Sequence, residues 1–213
     1  MNFYYNGTDI YNDVSVNYCV HEMFAEKQAD TLVIRFNDTK GIWSKWQPAA
    51  GDTVRFKEGA SDTGKMFVHS MKPENGLFTI RAMSMPKTAK IRKSKSWEGV
   101  RFLQLANEFA GNHGLAFKNY GCEDQVYPYI KQDNEGDFSL FSRLCMLEGC
   151  QMLIFDGSLL AYNEHYIEQQ EPAGGLTVDE NGVFTYEDNR DTMFGSCEVA
   201  SGSYSGKYVA DAS

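Results

Sequence analysis

The chain has 213 residues, enough for one large domain or two to three small ones with substantial hydrophobic cores. Its formal net charge is −9, which argues against a protein built to grip nucleic-acid phosphates. Aromatic residues at 14 % and nineteen glycines suit short strands joined by turns, and no apolar stretch approaches membrane-spanning length.

Met1 to Ile10 shows neither a basic start nor an apolar run, so no secretion signal is expected. Residues 14–85 then read as β-structure. Val14, Val16, Tyr18 and Val20 alternate, and Leu32, Ile34 and Phe36 alternate again before Asn37-Asp38 interrupts the run. Trp43 and Trp46 flank Ser44-Lys45 in a predicted loop, as an interface anchor or as a plug for the end of a barrel. Thr53 to Phe56 forms a short strand after the Gly51-Asp52 turn. Lys65–Met71 and Leu77–Met83 flank Pro73-Glu74-Asn75-Gly76, a hairpin signal. Short strands at this spacing predict a barrel or sandwich.

Pro86 to Lys95 is a charged connector carrying Lys87, Lys90, Arg92, Lys93 and Lys95, and it marks the first expected domain boundary. These five cations are read either as a solvated connector or as an inter-subunit contact. Ser96 is expected to cap a helix with Glu98 in its first turn, and Trp97, Val100, Leu103, Ala106 and Ala110 form its apolar stripe, widened by Phe102, Leu105 and Phe109. Gly111 or Gly114 ends it. Strands follow near Leu115–Asn119 and Val126–Lys131. Asp137 is expected to cap a second helix that buries Phe138, Phe141, Leu144 and Cys145 and stops at Gly149. Asp156-Gly157 then turns a hairpin between Gln151–Phe155 and Ser158–Tyr162. Glu164 to Gly175 reads as a linker. Beyond it, Leu176–Val178 and Val183–Tyr186 flank the Asp179–Gly182 turn, and Met193–Ala200 and Lys207–Ala210 are two further strands.

Candidate chemistry is sparse. The histidines at 21, 69, 113 and 165 are scattered, and His21-Glu22 lacks the second histidine of a zinc-protease helix. No nucleophile elbow, phosphate-binding loop or dinucleotide fingerprint occurs. Gly195-Ser196 and the serines at 201–205 read as turn residues. Cys19, Cys122, Cys145, Cys150 and Cys197 are odd in number and form no CxxC pair, so buried free thiols and a reducing cytoplasm are expected, without metal, cofactor or catalytic residue.

Several of these stretches, in their shared order, resemble one family. Asp137-Phe138, Leu140-Phe141-Ser142-Arg143-Leu144 and Glu148-Gly149 resemble the characteristic helix of phage tail baseplate hub proteins, a group including the late-control D proteins and the first part of the VgrG spikes. Ser94-Lys95-Ser96-Trp97, followed by a helix up to His113-Gly114-Leu115, is similar to a second family string. Asp30-Thr31-Leu32, Gly51-Asp52 and Gly64-Lys65-Met66-Phe67-Val68 fall in the family's order, so the resemblance spans about residues 14–163.

The resemblance implies a mixed β and α+β chain. A tube-like β-barrel domain would occupy residues 1–86 and a small inserted α+β domain 87–163. Residues 164–213 would supply a linker and strands of a second, incomplete β-barrel portion. It implies a structural baseplate hub subunit of a phage tail, tailocin or contractile injection particle, joining the six-fold tail tube to the three-fold spike. The implied partners are two further copies in a homotrimer, the tail tube protein, the spike protein and other baseplate proteins. DNA or effectors would pass the acidic lumen without specific binding, and no membrane insertion is implied. Assembly would take place in the bacterial cytoplasm. Lys87, Lys90, Arg92, Lys93, Lys95, Trp43 and Trp46 are the candidate subunit or tube contacts. Two rival classes stay open: a tail-associated cell-wall hydrolase with an absent or cryptic catalytic part, and a glycan- or receptor-binding tail module.

Overall fold

A computed structural model describes residues 1–24, 29–175 and 195–209. The strands expected at 176–178 and 183–186, and the 179–182 turn between them, lie outside the described residues. By contact density the chain divides into a unit of residues 1–170 and a unit of residues 171–213.

The first unit opens with strands β1 (Asn2–Tyr5) and β2 (Thr8–Asp9), joined at Asn6-Gly7. Both turn residues have positive φ, 47° and 84°, as a primed two-residue hairpin turn requires. Strands β3 (Ser15–Glu22), β4 (Thr31–Asn37), β5 (Thr53–Glu58), β6 (Ser61–Asp62), β7 (Met66–Glu74) and β8 (Leu77–Met83) follow. A one-and-a-half-turn helix α1 (Ile42–Trp46) lies between β4 and β5. The eight strands form one antiparallel sheet, in the order β2-β1-β5-β7-β8-β4-β3 with β6 beside β5. The sheet is open, since no pairing among the described residues joins β2 to β3.

Alternation decides which face of this sheet is wet. Leu32, Ile34 and Phe36 on β4 face the same interior as Phe78, Ile80 and Ala82 on β8, and the cross-strand pairs Leu32–Ala82, Ile34–Ile80 and Phe36–Phe78 put them in register. Trp43 closes that interior. It is 1 % exposed, stacks on Phe78 at 5.3 Å and lies 4.6 Å from Phe36. The Asp38 carboxylate accepts from the Ile42 N–H at 2.6 Å and so holds the start of α1.

Past a 3-10 turn at Lys87–Lys90 come β9 (Lys93–Arg101), α2 (Phe102–Asn112), β10 (Ala116–Tyr120), β11 (Val126–Glu135), α3 (Asp137–Leu147), β12 (Gln151–Phe155), β13 (Ser158–Tyr162) and α4 (Glu164–Glu168). The helix expected after a Ser96 cap begins only at Phe102, with Arg101 at the cap position. Lys93–Arg101 is instead a strand paired antiparallel with β11. Gly99, at φ 57°, is incompatible with a helix interior. It also shifts the ribbon's parity: Trp97 and Ile130 pair facing the core, and so do Val100 and Tyr127, three residues away on each strand.

The start of α2 is set from afar. Asp124 accepts from the Leu103 N–H at 2.9 Å, and the Gln125 carbonyl accepts from the Phe102 N–H. Both helices end alike. Leu115 N–H bonds the Ala110 carbonyl over Gly114 at φ 67°, and Cys150 N–H bonds the Cys145 carbonyl over Gly149 at φ 63°. Gly114, rather than Gly111, is therefore the stop of α2.

Helices α2 and α3 pack together, with Phe102 stacked on Phe141 at 5.2 Å, over the three-stranded sheet β10-β13-β12. Strand β7 joins this second core to the first. Met66 and Val68 point into the first core while Phe67, between them, belongs to the second, so all three are buried. The Asp156-Gly157 hairpin tip meets β5 and the residue just before β7 as well: Asp156 accepts from the Lys65 N–H at 2.9 Å and lies 3.6 Å from Arg55. Gly64 (φ 64°) permits this approach, because a Cβ there would come within 3.1 Å of the Asp156 Cα.

The expected linker after Tyr162 is partly helical. Asn163 caps α4 by accepting from the Tyr166 N–H at 3.0 Å. Within residues 171–213, strands β14 (Ser196–Ser201) and β15 (Tyr204–Val209) form an antiparallel hairpin. Val199, Tyr204 and Tyr208 share one face of it, each more than 60 % exposed.

Candidate assembly surfaces and a buried carboxylate node

A dense polar site among the described residues is built on Asp137, 1 % exposed at the first turn of α3. The expected N-cap role goes unfilled: Gly136 occupies the cap position, and the Asp137 side chain turns into the protein. Its Oδ2 accepts from Lys93 Nζ at 2.7 Å and Asn112 Nδ2 at 3.1 Å, and lies 3.1 Å from His113 Nε2. Its Oδ1 accepts from Gln132 Nε2 at 2.9 Å. One carboxylate thereby ties β9, the end of α2, β11 and α3 together. Burial by itself would raise its pKa, but the bonds from Lys93, Gln132 and Asn112 and the Lys93 charge outweigh this and hold it below the ordinary range. Burial drives His113 the other way from a paired histidine, down, against the attraction of Asp137.

His113 Nδ1 lies 3.0 Å from Thr88 Oγ1. Thr88, His113 and Asp137 thus follow the atom order of a nucleophile–base–acid relay. The carboxylate, however, already faces the Lys93 ammonium at 2.7 Å, so it supports an imidazolium far less than an unpaired acid would. Among the described residues, no group of three or more His, Cys, Asp or Glu side chains converges as a metal site. Cys122, Cys145 and Cys150 are buried free thiols, and burial pushes Cys145 up to about 12. Cys19 is only half-buried and Cys197 is exposed, unlike the buried thiols expected at all five positions.

The seven candidate contact residues separate into three groups. Trp43 is core and presents no surface, while Trp46 beside it is 44 % exposed. Lys93 is committed to Asp137, and Lys95 pairs with Glu108 at 2.6 Å while lying over the Trp97 ring. Trp97 Nε1 donates to the same Glu108 at 3.0 Å. Lys87, Lys90 and Arg92 are exposed and make no ion pair among the described residues. Lys87 lines a groove of about 530 Å³ together with Ala50, Gly51, Phe67, Pro86, Thr88, Ile91 and His113, and Lys90 and Arg92 flank Ile91 in the sequence. Sequence reasoning located these three cations but missed the groove, because its far wall comes from the Gly51 turn some forty residues earlier. It also missed Asp137's partners, since nothing local links residues 93, 112 and 132.

No family model matches the sequence, and no curated protein is recognisably related to it. Solved structures do match. A tail protein from Neisseria meningitidis superposes with a TM-score of 0.64 at 11 % identity, covering 100 % of this chain and 67 % of that one. The 43 kDa tail protein of prophage MuSo2 from Shewanella oneidensis gives 0.56 at 12 % identity, covering 76 % of this chain and 53 % of that one. The E. coli c3393 protein, a type VI secretion component described as structurally similar to the T4 tail proteins gp27 and gp5, gives 0.54 at 14 % identity and covers 76 % and 49 %. The chain spans about half the length of the last two. No helix among the described residues is long and apolar enough to cross a membrane. At these identities the likeness is one of fold, and the chain has the fold of phage-type tail proteins.

Proposed function

We propose that this chain is a structural subunit of a phage-type tail baseplate, a hub that joins a six-fold tail tube to a three-fold spike. The superposition of the whole chain on a tail protein carries this reading. It works by geometry: three copies, each offering an antiparallel β layer, present repeated polar edges to a neighbouring ring. The tube protein, the spike and other baseplate proteins are its partners, and DNA or effectors pass through without being gripped. The particle assembles in the cytoplasm and leaves as a phage, a tailocin or another injection machine. The reading assigns no catalysis to the chain, consistent with an Asp137 carboxylate neutralised by Lys93.

Mass measurement in solution tests the proposal, using the chain alone, with tube protein and with spike protein. Threefold rings are expected in the presence of at least one partner. A chain that stays monomeric with both overturns it, as would loss of peptidoglycan turbidity caused by this chain alone. Glycan-dependent tryptophan quenching abolished by Trp46→Ala would move the reading to a binding module.

A further inference from the structure

The segment Pro86–Arg92 places a large aliphatic side chain in water among three cations and holds it there rigidly. Ile91 is 57 % exposed. The turn beneath it is locked by Ala89 N–H to the Pro86 carbonyl and Ile91 N–H to the Thr88 carbonyl, both at 3.0 Å. Ala89 is 5 % exposed, and its carbonyl packs so closely on Gly136 that a Cβ there would come within 2.9 Å. The segment is thus preformed, and its shape costs a partner little ordering entropy.

Among the described residues, the charges around it meet no carboxylate. The chain carries nine more carboxylates than cations. Arg55, Lys57, Lys72, Lys93, Lys95, Arg101, Lys131 and Arg143 all have acidic partners within 3.0 Å. Lys87, Lys90 and Arg92 have none among the described residues; nor do Lys40, Lys45 and Lys118, but Lys87, Lys90 and Arg92 lie within six residues of one another, around Ile91. Burial lowers the pKa of His69, and the charges of Lys90 and Lys87 add to that lowering. The groove beside Lys87 and Ile91 is lined by the Ala50-Gly51 turn, Phe67 and Pro86, with Thr88 and His113.

We infer that this groove seats an acidic peptide segment of a neighbouring tail subunit, one large apolar side chain of which packs beside Ile91 while flanking carboxylates meet Lys87, Lys90 and Arg92. The inference rests on the assembly reading for the identity of the occupant as a neighbouring subunit. The recognition chemistry is an apolar anchor within a charged rim, which supplies both affinity and register.

The test uses the full chain and a short fluorescein-labelled peptide in which Glu and Asp flank one Leu, read by fluorescence anisotropy. Binding is expected, weakening as salt rises. Reversing the rim with Lys87→Glu, Lys90→Glu and Arg92→Glu together should weaken it by about tenfold or more at low salt. Ile91→Ala should weaken it by about three- to tenfold, as should replacing the peptide's Leu by Gly. A control with Lys72, Lys118 and Lys131 reversed should bind within about twofold of the parent, and thermal melts establish that all variants are folded. Equal binding of a peptide with Ser in place of its acids overturns the inference. So does equal weakening in the control, or a DNA oligonucleotide that outcompetes the peptide. Rings without peptide binding refute the groove alone, whereas peptide binding by a chain that stays monomeric with tube and spike refutes the hub alone.

Discussion

In the first core, Trp43 sits among Phe3, Phe36 and Phe78, and the surrounding strands alternate wet and dry as a half-buried sheet should. In the second, two helices cover a small sheet, and a buried carboxylate gathers four donors from three other elements. The first is organised by apolar shape. The second adds a polar constraint that specifies which ends of α2, α3, β9 and β11 meet. A carboxylate in such a position is costly unless fully satisfied, so it discriminates strongly between the native docking and any alternative. Strand β7, with Met66 and Val68 turned one way and Phe67 the other, couples the two.

That contrast can be broken experimentally, beginning where the effect should be largest. Trp43→Ala removes the plug of the first core and should cost about 3–5 kcal/mol in chemical denaturation. Because β7 is shared, unfolding should remain a single transition; two separated transitions would show that the cores are energetically independent. Asp137→Ala leaves Gln132, Asn112 and His113 without their shared acceptor and should cost about 3 kcal/mol near pH 7. Its effect, unlike that of Trp43→Ala, should depend on pH. Asp137 has a depressed pKa in the folded state, so its stabilisation is present above about pH 4 and is lost as pH falls through the folded value. The penalty of Asp137→Ala should therefore shrink in acid. His113, also depressed, erodes stability of the parent chain once pH falls below about 6.5, where the unfolded chain takes up its proton first. A parent stability flat from pH 7 to pH 3 would contradict both assignments. The smallest expected effect is at Gly99, where open space surrounds the absent Cβ and only the backbone at φ 57° resists a side chain. Gly99→Ala should cost about 1 kcal/mol in thermal or chemical melts. A cost several times larger would mean that the parity shift of the β9–β11 ribbon cannot relax.

Most strands between residues 31 and 83, helix α3 and the Asp156-Gly157 hairpin were legible because their signals are local. Alternation over seven residues of β4, a glycine at φ 63° after α3 and a two-residue Asp-Gly turn each act within a few bonds of themselves. The Asn6-Gly7 turn carried the same kind of signal and lay open to the same reading. The error over residues 96–101 has a physical cause. Trp97, Val100 and Leu103 are spaced like a helix face, yet the same spacing arises in a strand whose inward parity changes at Gly99. Pairing with β11, thirty residues later, selects the strand. Ser96 looked like a cap for want of any sequence sign that Asp124 and Gln125 would serve the first turn of α2.

Local sequence by itself determined the chain's β-rich class, most of its turns, the stop of α3 and the basic character of residues 87–95, because backbone sterics and alternating burial operate at short range. Only tertiary structure decided which cations stayed unpaired, that Trp43 would be core while Trp46 met water, and that Asp137 would leave its cap position for the interior. Each of those outcomes depends on a partner tens of residues away, and electrostatic or packing energy between distant residues exists only once the fold has brought them within a few ångströms of one another.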